Sequence, residues 1–402
     1  MIDDLTSLLV ISAVAVAAPA LARLAGKVVP IPIVVFEILL GIAVGPSILG
    51  WATSNDHIEL LSEFGLALLF FMAGNEIDFA LIQGRPLRRA AFGWVGSLVL
   101  GVGIGLLLFP PMETGIIVGI ALTTTALGTI MPVLRDAGLL SSRFGTSAIA
   151  VGAVGEFGPL LAISLFLSGR RPAEALVVVI VFAAITVAAI VLAGRRRHER
   201  LHRLVTATLH TSGQFAVRIA LLVVVALVTL SIAMGLDMLL GAFGAGVLCR
   251  VVLRGASDAD RHLVESKLEA VAFGFLVPIF FVTTGVTFDL AALVGSSSAL
   301  LLLPAFLVAL IVVRGLPGSF AAPPGASVRQ RVSLGLFSAT ALPLIVAVTE
   351  IGVAEGALSE ATAAALVGAG MLSCLIFPLT ALSLLPGVST HINPAASTEG
   401  EY

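Results

Sequence analysis

The sequence predicts an all-α polytopic membrane protein with about thirteen transmembrane helices, arranged as inverted six-helix repeats with crossed broken helices. Three observations predict this fold. Of the 402 residues, 58% are hydrophobic and 11% are charged, whereas a soluble domain carries about 25% charged residues. Basic residues concentrate in every second polar segment between long apolar runs. Two apolar runs in equivalent places share a Thr-Ala-Leu motif next to a helix-breaking residue.

The apolar runs define the spans in chain order. The first run is predicted to be a retained span rather than a secretory signal, because Asp3 and Asp4 precede it and Arg23 and Lys27 follow it. A helix needs about 20 apolar residues to cross the hydrocarbon core, and runs of this kind begin near residues 5, 31, 60, 88, 114, 145, 172, 216, 236, 266, 297, 332 and 361.

Charge placement predicts the orientation of these spans. All but three of the 22 basic residues fall in connections that lie on one side of the membrane. The exceptions are Arg170 and Arg171 on the other side and Arg314 inside a span. Because basic connections stay in the cytoplasm, we expect the N-terminus outside and the C-terminus inside a bacterial-type inner (plasma) membrane.

The order of the spans predicts an internal repeat. We expect a transport domain over residues 1–387, with a first repeat at about 5–168, a linking span at about 172–194, a basic cytoplasmic linker at 195–215 and a second repeat at about 216–386. Residues 388–402 form a short polar tail, which we expect in the cytoplasm. The single linking span inverts the second repeat, as in many secondary transporters.

The fifth span of each predicted repeat carries a helix-breaking sequence. TTTALGTIMP, residues 123–132, contains Gly128 and Pro132, and FSATALPLIV, residues 337–346, contains Thr340 and Pro343. A break at membrane depth frees backbone groups that protein, water or an ion must satisfy. Crossing of two such breaks brings helix ends of opposite partial charge together, which suits a small ion. The alternative is that the prolines kink continuous helices.

Glu156 is the one charged residue in the apolar stretch from Phe144 to Ser168. Acidic residues at a helix centre cost about 2.5–3.5 kcal/mol on insertion scales and face the bundle interior. Gly155, Gly158 and Pro159 remove side-chain bulk and a backbone donor beside the carboxyl group. This composition favours an ion or proton site, and the alternative is a protonated, hydrogen-bonded carboxyl group that stabilises packing.

Other charged residues deep within predicted spans are few. Glu37 in the second span and Glu76 at the end of the third are candidate structural carboxylates. Arg314 lies in ALIVVRGLPG of the eleventh span. It either extends to the cytoplasmic interface or acts as a charge partner near the site.

The strings FEILLGIAVGPSILG, ELLSEFGLALLFFMAGNEIDF and VPIFFVTTGVTFDL resemble signatures of the monovalent cation:proton antiporter family, in its Kef-like second branch. The resemblance covers about residues 5–386. It implies a sodium/proton exchanger transmembrane domain whose core bundle moves against a dimerisation bundle, and therefore a homodimer. Kef-like relatives often continue into a nucleotide-binding regulatory domain. This sequence ends in GVSTHINPAASTEGEY, so we expect that domain to be absent from the polypeptide.

The resemblance also implies roles for individual residues. Thr124 and Thr125 match the threonines of the first broken helix, and Arg314 matches the basic residue of the eleventh span, which is often lysine. The sixth span of the family commonly carries Asp-Asp, Asn-Asp or Gln-Asp. The matching pair here is Gly155 and Glu156, so this chain departs from the family at the first position.

Several motifs are better explained without a site. HERLH, residues 198–202, matches the zinc motif HExxH but lies in the basic linker without a good third ligand, so no metal is predicted. GVGIG at 101–105 and GAFGAG at 241–246 lie inside apolar spans and favour close helix packing. Two isolated cysteines exclude a CxxC site, and the basic loops lack the interleaved aromatic residues that nucleic acid binding favours.

Together these features predict a secondary antiporter that exchanges H+ for Na+ or K+ by alternating access, and not an enzyme. Glu156 is expected to carry both ions in turn, with Thr124, Thr125 and the carbonyls of the two breaks around the cation. We expect no cofactor, and H+, the metal cation and the lipid bilayer as partners. The alternatives are a sodium-coupled symporter of an organic anion on the same architecture and an intramembrane zinc hydrolase that uses HERLH.

Overall fold

The computed structural model describes residues 2–25, 32–77, 79–167, 171–195, 214–253, 257–295 and 297–385. All regular secondary structure in these ranges is helical, which confirms the predicted all-α class. Within these ranges, nine helical segments are long and apolar enough to cross a membrane, and four shorter apolar helices accompany them. Three of the nine segments, Ala259–Thr287, Ser297–Ser319 and Val328–Ala354, each combine two helices. Each of these thirteen segments begins close to the predicted start of a span. The HERLH motif, most of the basic linker and the polar tail lie outside the described ranges.

The helices of the described ranges are numbered here in chain order. In chain order they are α1 Ile2–Ala25, α2 Ile33–Val44, α3 Asp56–Glu76, α4 Phe79–Ile82, α5 Arg85–Leu108, α6 Met112–Ala121, α7 Leu127–Asp136, α8 Arg143–Phe166, α9 Pro172–Arg195, α10 Phe215–Ala233, α11 Met238–Leu253, α12 Asp258–Val271, α13 Val277–Thr287, α14 Leu290–Val294, α15 Ser297–Leu310, α16 Leu316–Ser319, α17 Val328–Ala339, α18 Pro343–Ala354 and α19 Glu360–Ser383. Short π-helical turns at Ala272–Leu276 and Ile311–Gly315 join α12 to α13 and α15 to α16.

The chain divides into two compact units that interleave along the sequence. The first unit comprises Met1–Asp78 and Phe157–Ser297, and the second comprises Phe79–Glu156 and Ser298–Tyr402. Each unit therefore takes one segment from each predicted repeat. The boundaries of the two repeats themselves remain a prediction.

Glycine permits close helix packing in the first unit. Gly41 of α2 and Gly285 of α13 lie backbone to backbone, so that a Cβ at Gly41 would be 2.9 Å from the Cα of Gly285. Gly246 of α11 lies equally close to the backbone of α3 at Phe71. Small residues let helices approach closely in a membrane, where apolar side chains gain little by leaving lipid. Asn55 caps α3 by accepting hydrogen bonds from the amides of His57 and Ile58.

In the second unit, the GVGIG sequence packs α5 against α6. A Cβ at Gly101 would lie 2.6 Å from the carbonyl oxygen of Gly119, and Gly105 faces Gly115 in the same way. The GVGIG motif thus forms a contact between two helices, as its position in an apolar span predicts. α17 begins with a capping box, in which Ser327 and Gln330 each accept a hydrogen bond from the other's backbone amide. This unit contains both interrupted spans.

Candidate functional site

Two spans of the second unit are interrupted, and the interruptions are hydrogen-bonded to each other. The first break follows α6 and ends where α7 begins at Leu127, and the second separates α17 from α18 at Thr340–Leu342. The Ala126 amide donates to the Thr340 carbonyl oxygen over 2.8 Å. These spans are therefore interrupted by short non-helical segments, rather than bent as continuous helices.

The breaking residues occupy different places in the two interruptions. Pro343 begins α18, where a missing amide proton leaves no intrahelical bond unmade. Thr340 is the C-cap residue of α17. Gly128 and Pro132, in contrast, lie inside α7, because the helix resumes at Leu127. In this span the chain departs from helical structure before the glycine and proline rather than at them.

The Glu156 side chain on α8 contacts the first residue of α7. Its Oε1 accepts a hydrogen bond from the Leu127 amide over 3.0 Å, and its side chain is buried. The preceding residue, Gly155, accepts a bond from the Thr125 amide over 3.0 Å at its carbonyl oxygen. The carboxyl group thus lies at the N-terminus of a helix, where partial positive charge favours an anion.

The threonines of the first break are completely buried, and their hydroxyl groups differ in what they bind. Thr123 and Thr124 donate backward to the carbonyl oxygens of Ile120 and Ala121, each over 2.8 Å. Thr125 donates to the carbonyl oxygen of Ser338 over 2.6 Å. Within the described part of the chain, the carbonyl oxygens of Thr123, Thr124 and Thr125 accept no hydrogen bond. The break therefore offers consecutive backbone oxygens as possible cation ligands.

Arg314 lies in the interior of the second unit, on the π-helical turn before α16, with no exposed surface. Its Nε donates to Thr125 Oγ1 over 2.8 Å, and its Nη2 donates to the Val151 carbonyl oxygen over 2.7 Å. Its Nη1 has no hydrogen-bond partner among the described residues. The side chain does not extend to the surface of the unit, and it lies beside the residue that precedes Glu156.

A serine that the sequence analysis overlooked holds the second break. Ser373 of α19 accepts a hydrogen bond from the Ala341 amide over 3.0 Å and lies 2.9 Å from the Ala341 carbonyl oxygen. The one hydroxyl proton of Ser373 is shared between the Ala341 carbonyl oxygen and the Gly370 carbonyl oxygen, which lies 2.7 Å away in the same helix as Ser373. One neutral side chain thereby contacts both backbone polar groups freed at Ala341. The available signal was weak: a serine in the apolar string GMLSCLIF of another span.

Glu37 and Glu76 both belong to the first unit, whereas all the contacts above lie in the second. Glu37 is buried in α2, and Glu76 is the last residue of α3. Within the described ranges, no cluster of three or more His, Cys, Asp or Glu side chains could hold a metal ion. The His198, Glu199 and His202 set lies outside those ranges.

Comparison with known proteins gives a consistent result. The profile of a family described as the sodium/hydrogen exchanger, transmembrane, matches residues 11–385. YjbQ of Bacillus subtilis is 26% identical over 87% of this chain and 58% of that protein. GerN of Bacillus cereus, named as a Na+/H+-K+ antiporter, is 28% identical over 64% of this chain and 66% of that protein. The chain thus spans less than two thirds of the length of either relative.

A solved structure shares the fold. The structure of the sodium proton antiporter MjNhaP1 from Methanocaldococcus jannaschii superposes with a TM-score of 0.64, covering 94% of this chain and 96% of that one, at 16% sequence identity. The similarity confirms the predicted fold class.

Proposed function

The chain belongs to the sodium/hydrogen exchanger transmembrane family, and we propose that it exchanges H+ for Na+ or K+ across the membrane, with Glu156 as the shared carrier. One observation supports this most directly. A buried carboxylate accepts a hydrogen bond from the first amide of a broken helix, beside a second break that is bonded to the first. Such an arrangement suits alternate binding of a proton and a small cation.

The oxygen atoms around the first break suit a monovalent cation. Glu156 supplies a carboxylate oxygen, and the consecutive carbonyls of Thr123, Thr124 and Thr125 supply neutral oxygens. Thr124 Oγ1 uses its proton on Ala121 and keeps its lone pairs. Oxygen ligands of this kind favour hard cations such as Na+ and K+. The name of GerN includes both Na+ and K+, and the name of YjbQ includes Na+.

A single carboxylate that exchanges one proton for one monovalent cation moves no net charge. Burial disfavours the ionised carboxylate, whereas the helix N-terminus and a bound cation favour it. The proton and the cation therefore compete for the same group. We propose electroneutral one-for-one exchange by alternating access. A membrane potential should leave the rate unchanged in proteoliposomes, and net charge movement in each cycle would contradict this stoichiometry.

The proposal includes the orientation of the chain in the membrane and its assembly into a dimer. We propose an integral protein of a bacterial-type inner membrane, with the N-terminus outside, the C-terminus inside and two copies in the functional unit. The segregation of basic residues supports the orientation. The equivalent placement of the two breaks supports the proposed repeats at about 5–168 and 216–386. A reporter fused after Arg23 should lie in the cytoplasm and one fused after Ser168 outside, and the reverse assignment would contradict the orientation.

The deciding experiment is dissipation of a pH gradient in proteoliposomes. The native protein should collapse the gradient on addition of Na+ or K+, and Li+ tests the size limit of the site. Glu156→Gln should abolish the response, because an amide neither releases a proton nor supplies negative charge to the cation. Equal activity of the two proteins would show that Glu156 is structural and would overturn the proposal.

A further inference from the structure

Gly155 occupies a position in α8 where any side chain would require Thr125 and Arg314 to shift. A Cβ at this position would collide with Thr125 Oγ1 and would lie 2.5 Å from Arg314 Nη2 and 2.6 Å from Thr125 Cβ. Non-bonded carbon atoms pack best at about 3.5–4.0 Å, so these contacts are strongly repulsive. The Thr125 and Arg314 side chains therefore fill the space that any side chain at position 155 would need.

The two side chains that fill this space connect three parts of the unit. Arg314 bonds to Thr125 Oγ1 in the first break and to the Val151 carbonyl oxygen in α8. Thr125 in turn donates to the carbonyl oxygen of Ser338, just before the second break. The Thr125 amide also donates to the Gly155 carbonyl oxygen. We call Gly155, Thr125, Arg314 and the two accepting carbonyls, of Val151 and Ser338, the brace.

The hydrogen-bonding capacity of Thr125 limits what else its hydroxyl group can do. A hydroxyl group has one proton and two lone pairs. The proton goes to Ser338, and one lone pair accepts the bond from Arg314. A cation at Thr125 Oγ1 would face a guanidinium already bonded to the same oxygen, and like charges repel. The hydroxyl group of Thr125 is thus better suited to hold Arg314 than to bind the transported ion.

We propose that Gly155 is a positioning residue: its missing side chain lets Arg314 and Thr125 form the brace, which fixes the first break beside Glu156. This inference rests on the proposed antiport function and deepens it. The Thr125 hydroxyl group takes part in the brace, so the Thr125 backbone carbonyl oxygen, and not the hydroxyl oxygen, is the candidate cation ligand. Leu127, whose amide binds the Glu156 carboxylate, is two residues from Thr125, so displacement of the brace displaces the carrier's hydrogen-bond donor.

The first test compares Gly155→Ala with Gly103→Ala in proteoliposome exchange. Gly103 also lies inside a helix, α5, but a Cβ at this position meets no atom within 4 Å. Gly103→Ala is therefore a matched control for a glycine-to-alanine change in a helix. Gly155→Ala should lower the maximal rate about tenfold or more, because small misplacements of reacting groups have large effects, while the half-saturating cation concentration changes by less than about threefold. A native-like rate for Gly155→Ala would overturn the inference.

The second test uses Thr125 and does not depend on how well Gly155→Ala folds. Thr125→Val keeps the shape and the backbone carbonyl but removes the hydroxyl group, and Thr125→Ser restores that group. Valine should reduce the maximal rate with little change in half-saturation, and serine should retain clearly more of the rate. A rise in half-saturating cation concentration of about tenfold for valine, at an unchanged maximal rate, would instead make the hydroxyl a cation ligand.

The third test asks whether Gly155 acts through Arg314. Arg314→Lys keeps the charge but lacks the forked donors that bind Thr125 and Val151 together. If the two positions belong to one brace, adding Gly155→Ala to Arg314→Lys should lower the rate by less than about threefold further. Multiplicative losses would overturn the inference. A native protein that shows no cation-dependent exchange would instead remove the proposed function itself.

Discussion

The two breaks of the second unit share a Thr-Ala-Leu sequence and differ in the groups that satisfy them. At the first break, the donors and acceptors include an ionisable pair, Glu156 and Arg314. At the second, one neutral hydroxyl group, that of Ser373, accepts from the Ala341 amide and shares its proton between the carbonyl oxygens of Ala341 and Gly370. The comparison teaches that similar breaks can serve unlike purposes. The first break has ionisable side chains beside it, as the proposed ion site requires, and the second is stabilised by a neutral hydroxyl group of the same chain.

The carbonyl oxygens show the same difference. Those of Thr123, Thr124 and Thr125 accept no hydrogen bond within the described ranges. At the second break, the carbonyls of Thr340, Ala341 and Leu342 accept from Ala126, Ser373 and Val346. The first break therefore keeps the backbone oxygens that the proposed cation site requires. Four substitutions test whether the two breaks differ in this way.

The largest effect is expected for Glu156→Asp. The shorter side chain keeps the charge but withdraws the carboxylate from the Leu127 amide, so the maximal exchange rate should fall about tenfold or more. Proteoliposome exchange at saturating cation measures this. Glu37→Asp makes the same change at a buried carboxylate of the first unit and should leave the rate within about twofold. Equal losses for both would mean that the position of the Glu156 carboxylate has no special importance.

A smaller effect is expected for Thr124→Val, which removes a hydroxyl oxygen with free lone pairs from the first break. The half-saturating cation concentration should rise about tenfold, the value of one modest interaction with a charged ligand. The maximal rate should change far less. Titration of exchange against cation concentration separates the two quantities, and an unchanged half-saturation would remove Thr124 from the ligand set.

Ser373→Ala should affect stability rather than ion affinity. It leaves the buried Ala341 amide without its hydrogen-bond partner, which should destabilise the protein by about 1–3 kcal/mol. The midpoint of thermal unfolding in detergent should fall, with half-saturation unchanged. Ser383→Ala is the control, because Ser383 is exposed in the same helix and bonds only to the Thr380 carbonyl. Altered ion affinity in Ser373→Ala would place ion binding at the second break as well.

The smallest effect is expected for Thr340→Val, although Thr340 heads the same motif as Thr125. Its hydroxyl group bonds only to the Leu336 carbonyl within α17, and its own carbonyl keeps the bond from Ala126. Exchange should change by less than about twofold, within the range of most substitutions away from special contacts. A loss as large as that of Thr125→Val would show that the two breaks are equivalent after all.

The sequence predicted the fold more completely than it predicted the site. The spans, the two breaks and the buried Glu156 all leave local marks: apolar length, a Thr-rich motif, a single charge in a long apolar run. The contacts between spans leave no such marks. Nothing in the order of residues pairs Ser373 with Ala341, or Val151 with Arg314. The place of the first break was also approximate, because Gly128 and Pro132 proved to lie within α7.

The bilayer itself explains what the sequence alone determined. The hydrocarbon core requires long apolar helices, so the length of the apolar runs along the chain is enough to predict an all-helical membrane protein, whereas the family was predicted from the resemblance of three sequence strings. Only the tertiary structure decided which helices interleave into each unit, that Glu156 binds the first amide of α7, and that Gly155 leaves its space to Arg314. Those outcomes depend on the packing of residues far apart in the chain, and hydropathy carries no information about such pairs.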